Sequence, residues 1–275
     1  MPSNSTLVTV IVSVYKNIEA LERIFEYLEK QTYRNFEVIV AEDNDSPLMK
    51  TCVVKAQQRG YFFFIRHVFQ ADDGFRKCKI LNQAIKAAQG EGIIFLDGDC
   101  LPHREWVRAY RQSFAEKKAL VGRRVLLNPS FTKKVLTENK VISLFNLFRY
   151  GCKRIEEAIY LPFINRLVQH KRGIWGCNWG ILKVHLLQIN GFDEDYTAAG
   201  IGEDTDIEWR LRQQGIALFS MKYKALTYHL HHAENYSTTA GNEQIFEAKK
   251  RENNAVCLNG IARLPKPDDA PKKNI

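Results

Sequence analysis

The feature that most constrains this chain is an alternation in its first hundred residues: short apolar runs separated by stretches with helical periodicity. Leu7 to Val14, Phe36 to Ala41, Tyr61 to Ile65 and Ile93 to Leu96 read as buried strands. Between them, Asn17 can cap a helix whose apolar positions Ile18, Leu21, Ile24, Phe25 and Leu28 share one face. Ser46 before Pro47 marks a second helix start, and Lys77 to Gln89 read as a third helix closed by Gly90. Three strand–helix units in succession predict an α/β fold: a Rossmann-like, mostly parallel, doubly wound sheet with helices on both faces. Ligands of such sheets gather beyond the carboxyl ends of the strands, where Tyr15, Asp43 and Asp97 fall.

The fourth strand runs into Asp97-Gly98-Asp99-Cys100. In extended backbone, side chains two positions apart point the same way, so Asp97 and Asp99 are expected to face one divalent cation together. Hard oxygen ligands there suit a cation carrying a phosphorylated substrate. The competing reading is a polar turn, because Asp-Gly pairs are common in turns. Two downstream clusters add weight to the ion: Gly202-Glu203-Asp204-Thr205-Asp206 and the histidines His229, His231 and His232. No G-x-G-x-x-G follows the first strand and no G-x-x-x-x-G-K-S/T occurs, so phosphate must be held by a metal ion and isolated basic residues.

Composition bounds the class. With 275 residues, 45% hydrophobic and 26% charged, the chain can bury a full core. The cysteines at 52, 78, 100, 152, 177 and 257 show no C-x-x-C spacing, which predicts reduced thiols in a cytosolic protein. The Leu7 to Val14 run is too short to span a bilayer and lacks a basic flank, so neither a signal peptide nor a transmembrane helix is expected. Net charge is +9, and from Lys133 to Arg172 nine Lys/Arg stand against three Glu. Val141, Leu144, Phe145, Phe148, Ile159 and Phe163 interleave with those cations. Such a stretch suits a helical surface lying on anionic lipid headgroups, and equally an amphipathic insertion packed on the core. A cytoplasmic protein touching the inner face of the cell membrane follows from the first reading. No nucleic-acid recognition motif is present. The Pro- and Lys-rich tail after Leu264 is expected to be loose.

Several runs together resemble the inverting family 2 glycosyltransferases, which have the GT-A fold. These are Val10-Ile11-Val12-Ser13-Val14-Tyr15-Lys16-Asn17, Phe36-Glu37-Val38-Ile39-Val40-Ala41-Glu42-Asp43, Gly74-Phe75-Arg76-Lys77 with Leu81-Asn82-Gln83-Ala84, and Phe95-Leu96-Asp97-Gly98-Asp99. The later runs Asn178-Trp179-Gly180, Asn190-Gly191-Phe192-Asp193-Glu194, Gly202 to Asp206 and Tyr228-His229 resemble the galactosyltransferase-type carboxyl half of bacterial chondroitin polymerase and related enzymes. The resemblance runs from about Leu7 to His232 and is poor from Asn128 to Arg172. It implies a nucleotide-sugar-binding half at 1–127, a basic and apolar helical insertion at 128–172, an acceptor and catalytic half at 173–260, and a flexible tail at 261–275.

The resemblance also implies roles. Asp97 and Asp99 match the family's D-x-D, with Asp99 on the metal and Asp97 on metal and donor; His229 completes the metal shell, and His232 is the substitute if the register differs. The ion would be Mn2+ or Mg2+. Asp43 matches the uracil contact, Tyr15 the base-packing residue, and Lys77 and Asn82 the approach to the diphosphate. Asp204 matches the catalytic base, with Glu203 beside it; the purely structural alternative is acidity at the start of a helix from Thr205 to Gln214. Trp175, Asn178 and Trp179 fall on the acceptor platform. The implied reaction moves a sugar from a nucleotide-sugar, UDP-linked by resemblance, to a saccharide or lipid-linked saccharide in surface polysaccharide or lipopolysaccharide synthesis. A helix from Glu243 to Leu258 is expected to close over the donor. Two other readings compete. One is a haloacid-dehalogenase-like phosphatase using Asp97 and Asp99, although three strand–helix units precede the pair and Cys100 follows it; the other is a non-catalytic sugar- or nucleotide-binding module.

Overall fold

A computed structural model describes residues 6–161, 163, 167–169, 173–199, 202–233 and 240–265. The first units are β1 (Val8–Val14), α1 (Ile18–Glu29), β2 (Phe36–Glu42), α2 (Pro47–Gln58), β3 (Phe64–Phe69), α3 (Lys77–Ala87) and β4 (Gly92–Asp97). Asn17 accepts from the Ala20 amide and Ser46 from the Met49 amide, so both expected caps form. β1 pairs in parallel with β2 and β4, and β2 with β3. Alternation along β1 sends Val8, Val10, Val12 and Val14 into one core with α1 and α2, and Ile11 into another with α3. Each such fully buried side chain contributes about 1.5–3 kcal/mol.

The chain continues through β5 (Cys100–Pro102), α4 (Trp106–Ser113), β6 (Lys118–Val121), β7 (Arg123–Leu126), α5 (Pro129–Thr137), α6 (Leu144–Arg149), a 3-10 turn at Ile155–Ala158 and β8 (Val168–Gln169). It ends with β9 (Asn178–Leu182), α7 (Lys183–Gln188), α8 (Glu203–Gln213), β10 (Ala217–Ser220), β11 (Leu226–His229) and α9 (Ala240–Glu252). The large sheet has the order β3-β2-β1-β4-β9-β6-β10-β8. It is mostly parallel, but β9 runs against both its neighbours and β8 is an antiparallel edge. A small sheet, β5-β11-β7, stands beside it.

Several boundaries differ from expectation for identifiable reasons. β3 starts at Phe64 and not at Tyr61, because Tyr61 and Phe63 stack with each other and Phe63 with Phe36, about 5 Å apart, closing the core below the strand. The strand then runs on through Arg66 and His67 to Phe69, polar residues that an edge strand tolerates. α3 ends at Ala87, and Gly90 is no helix cap: a Cβ there would lie 2.5 Å from the Thr9 nitrogen, so glycine lets the chain cross β1. α8 starts two residues earlier than predicted, placing Glu203 and Asp204 inside its first turn. The basic stretch packs only partly. Phe131, Val135 and Leu147 are buried, whereas Phe145 and Phe148 are each 69% exposed. Arg166, Lys171 and Arg172 lie outside the described residues, as does the tail from Lys266. All six cysteines are free and buried. No helix among the described residues is long and apolar enough to cross a membrane.

Candidate active site

The carboxyl ends of β1, β2 and β4 open into a cavity of about 700 Å3 lined by Ser13, Tyr15, Asp43, Lys77, Asp97, Asp99 and His232 among others. Asp43, at the end of β2, is buried; its carboxylate accepts from Gln70 Nε2 at 2.7 Å and from the Arg76 amide at 2.8 Å. Tyr15 stands half exposed at the mouth, its hydroxyl accepting from Lys16 Nζ, which also pairs with Asp72 at 2.8 Å. Lys16 takes a left-handed backbone (φ 58°) that turns the chain off β1.

The chain turns between Asp97 and Asp99, and this corrects the expectation that an extended strand presents both to one ion. β4 ends at Asp97 and β5 begins at Cys100 in the other sheet. Gly98 is pressed onto β1: its amide donates to the Ser13 carbonyl at 2.7 Å, and a Cβ would meet that oxygen at 2.8 Å. Asp97 Oδ1 accepts from Ser13 Oγ at 2.8 Å and pairs with Lys77 Nζ at 2.9 Å. Asp99 faces the histidines instead, its Oδ2 lying 3.0 Å from His232 Nε2 and 3.5 Å from His229 Nε2. The pairing of β11 with β5 produces this meeting, since His229 is the cross-strand partner of Cys100 and the Leu230 amide donates to the Asp99 carbonyl.

These groups suit a divalent cation. Burial penalises the Asp99 charge, but the His232 hydrogen bond and the nearby imidazoles outweigh it and hold the carboxyl down at about 2, ionised. Burial, aided by Arg124 and His232, keeps His229 below the usual imidazole range despite Asp99, so it is the neutral ligand form. The Cys100 thiol lies within the same cluster, yet burial pushes it far above the usual thiol range, and a protonated thiol is a poor ligand. Asp99 and His229 offer an oxygen and a nitrogen that suit Mn2+, with Mg2+ less favoured by imidazole, and His232 Nε2 stands against the same Asp99 oxygen.

Lys77 links this cavity to a second acidic group. Its ammonium, at the start of α3, lies 2.8 Å from Glu203 Oε1 as well as 2.9 Å from Asp97. Burial opposes its charge, but Asp97, Glu203 and Asp204 more than compensate and keep it protonated. Asp204, one residue on, accepts from the Gly176 amide at 2.8 Å. Burial and then the Glu203 charge push its carboxyl up to about 7 against the pull of Lys77. Burial likewise raises Glu203.

Three other residues expected at the site lie elsewhere. Asn82 is buried, donating to the Phe192 carbonyl and Glu194 and accepting from the Phe192 amide, so it fastens α3 to the loop after α7 and does not reach the cavity. Asn178 is a core hub: its Oδ1 accepts from Trp106 Nε1 and from Tyr110 Oη, and its Nδ2 donates to the Arg123 and Ala225 carbonyls. Trp179 is sealed between Phe95, stacked at 4.5 Å, and Phe192. Neither presents a surface to an acceptor. Trp175 is half-buried, with the guanidinium groups of Arg124 and Arg154 at 5.1 and 4.9 Å from its ring. α9 does not close over the donor cavity; Phe246 packs edge-on against Trp209, and Lys249 pairs with Asp193 and Asp195. The sequence alone does not single out Ser13, Gln70 or Arg124. Ser13 was within reach, being the small polar residue that ends the apolar run of β1, whereas Gln70 and Arg124 carry no local signal.

Taken with the site, this sheet is that of the GT-A glycosyltransferases. A mannosyltransferase from Pyrobaculum calidifontis, solved with GDP-Man and Mn2+, superposes with TM-score 0.59 at 18% identity, covering 91% of this chain and 66% of its own. GalNAc-T7, solved with UDP, GalNAc and Mn2+, superposes at 0.63 and 13% identity, over 94% and 53%. The chain belongs to glycosyl transferase family 2, whose profile matches residues 9–183; the profile described as the N-terminal domain of galactosyltransferase matches residues 165–233. Chondroitin synthase of Escherichia coli is 25% identical over 239 residues, 80% of this chain and 34% of that protein. Validoxylamine A glucosyltransferase of Streptomyces hygroscopicus subsp. jinggangensis is 25% identical over 230 residues, 78% and 54% respectively. The chain therefore spans about a third to a half of the length of these relatives. The family 2 match includes Asp97 and Asp99, which leaves the phosphatase reading without support.

Proposed function

We propose that this chain catalyses metal-dependent, inverting transfer of a sugar from a nucleotide-sugar, UDP-linked, to a saccharide or lipid-linked saccharide acceptor. The observation that carries the reading is the placement of Asp204, fixed by the Gly176 amide one residue from the Glu203–Lys77–Asp97 bridge that leads into the donor cavity, where burial raises its carboxyl to about 7. A base of that strength is matched to a hydroxyl proton at neutral pH. In the reaction the acceptor oxygen bonds to the anomeric carbon as the bond to the diphosphate oxygen breaks, and the hydroxyl proton passes to Asp204. One displacement inverts the carbon.

The remaining residues hold the donor. Tyr15 offers a ring at the cavity mouth for the base. Asp43 is already fixed by Gln70 and Arg76, and each carboxylate oxygen keeps a further lone pair for an imide N–H such as that of uracil. Asp97, held by Ser13 and Lys77, faces the donor sugar. Asp99, His229 and His232 would hold the Mn2+, which as a Lewis acid offsets charge on the leaving diphosphate.

The halves then serve as 1–127 for the donor and 173–260 for acceptor and catalysis. The stretch 128–172 is assigned to an anionic membrane surface, in keeping with synthesis of a surface polysaccharide at the inner face of the cell membrane. Phe145, Phe148 and Val141 are each about 70% exposed there, with Lys140 and Arg149 adjacent in sequence. Calorimetry with a panel of nucleotide-sugars, with and without Mn2+, on wild type and Asp99→Ala, tests the central reading. Metal-dependent binding of one UDP-sugar, lost in the variant, is expected. No binding to any sugar nucleotide, together with metal-dependent phosphate release from phosphomonoesters, would overturn it.

A further inference from the structure

Behind the histidines lies a second cavity, of about 440 Å3, that shares the His232–Ala233 wall with the donor cavity. Its described lining holds Arg124, Lys153, His229, His231 and His232, and no carboxylate. Lys77, Lys16 and Arg210 each lie within 3 Å of a carboxylate. Arg124 is different. Among the described residues its short-range contacts are the Cys177 sulfur at 3.5 Å and the Trp175 ring, its Nε is buried with no hydrogen bond, and Asp97 acts on it only at longer range. A half-buried guanidinium without a carboxylate is costly to hold unless something else meets it. Lys153 is fixed by backbone bonds in both directions with Leu126, so its side chain starts from a rigid point at the cavity rim.

The same wall leads to the base. Arg124 packs on Trp175, the next residue, Gly176, donates to Asp204, and Arg154 covers the same indole. Arg124 therefore stands between the cavity lining and the Trp175–Gly176 segment that holds Asp204.

We propose that this cavity binds the acceptor through a negatively charged group, a carboxylate or phosphate carried on the saccharide, clamped by Arg124 and Lys153. A guanidinium fork matches the paired oxygens of either group, and the described lining brings no acid to repel them. The proposal rests on the glycosyltransferase reading for its orientation and names the substrate class of that site.

The test is calorimetric titration of the full chain with three disaccharides of matched size: one ending in a uronate, its neutral hexose counterpart, and a sugar phosphate. Each is run alone and with UDP and Mn2+. An anionic disaccharide is expected to bind about tenfold more tightly than the neutral one. The advantage should vanish in Arg124→Gln and shrink in Lys153→Gln, whose exposed side chain makes a folding defect no explanation. Preference for the uronate or for the phosphate tells which group the acceptor carries. Equal binding of neutral and anionic sugars, or a preference that survives both substitutions, would overturn the proposal. The UDP arm reads the parent reading separately: UDP bound without anionic preference sinks this inference alone, and anionic preference without UDP binding sinks the donor assignment alone.

Discussion

The two cavities that meet at His232 differ in how their charges are settled. On the donor side each acid has a companion: Asp43 has Gln70 and the Arg76 amide, Asp72 has Lys16, and Asp97 has Ser13 and Lys77. On the far side Arg124 has sulfur and an indole face. Acids that are compensated from within hold their geometry before any ligand arrives, and changing one exposes its partner. A cation with no carboxylate within hydrogen-bond distance among the described residues is free to select an anionic ligand. Substitutions on the first side should therefore cost stability together with activity, and those on the second should cost discrimination.

Asp204→Asn probes the hinge between the two sides and should have the largest effect, lowering kcat by ~10^3-fold or more while leaving UDP binding intact. Wild-type kcat/KM should rise with pH through about 7 as Asp204 loses its proton. The stability consequence has the opposite sense. A carboxyl raised in the folded state holds its proton better there than in the unfolded chain, so its contribution is present at acid pH and is lost as pH rises through about 7. Denaturant unfolding at pH 8 should accordingly find Asp204→Asn more stable than wild type, by ~1–2 kcal/mol. A variant both inactive and destabilised at that pH would make Asp204 a structural residue.

Next in size is Lys77→Gln. Removing a buried ammonium that faces Asp97 and Glu203 leaves two carboxylates uncompensated and should cost about 3 kcal/mol. A loss below ~1 kcal/mol would show that the bridge opens readily to water. Metal-dependent UDP binding should then rank the cation ligands, with Asp99→Ala weaker than His229→Ala, and His232→Ala mildest because its ring is 47% exposed. Equal binding by Asp99→Ala and wild type would place the ion elsewhere. The smallest effect on folding belongs to the exposed aromatics: Phe145→Ser with Phe148→Ser should shift stability by no more than about 0.5 kcal/mol. The same pair should lose sedimentation with anionic vesicles, and retention of vesicle binding would remove α6 from the membrane reading.

What was legible in the sequence is what is encoded locally. Alternation in β1, β2 and β4, the Asn17 and Ser46 caps, and acids placed where strands run out need only near neighbours to be read. The errors share one cause. An asparagine or tryptophan serves a core as readily as a sugar, and Asn178 is decided by Trp106 and Tyr110, 72 and 68 residues away. The reversed direction of β9 is likewise a product of pairing and leaves no trace in its own five residues. From sequence His232 reads only as a substitute for His229, because a chain leaving a strand has no period that shows both rings turning onto Asp99.

The bridge made by Lys77 has a kinetic meaning. One ammonium serves an acid from each side of the reaction, so a change on the donor side reaches the catalytic side through Lys77. A diphosphate that draws Lys77 toward itself withdraws positive charge from Asp204, whose hold on its proton then tightens. The pH profile of kcat, taken with donor saturating, should lie to the alkaline side of the profile of kcat/KM, and the gap between them would measure how far one occupied pocket retunes the chemistry of the other.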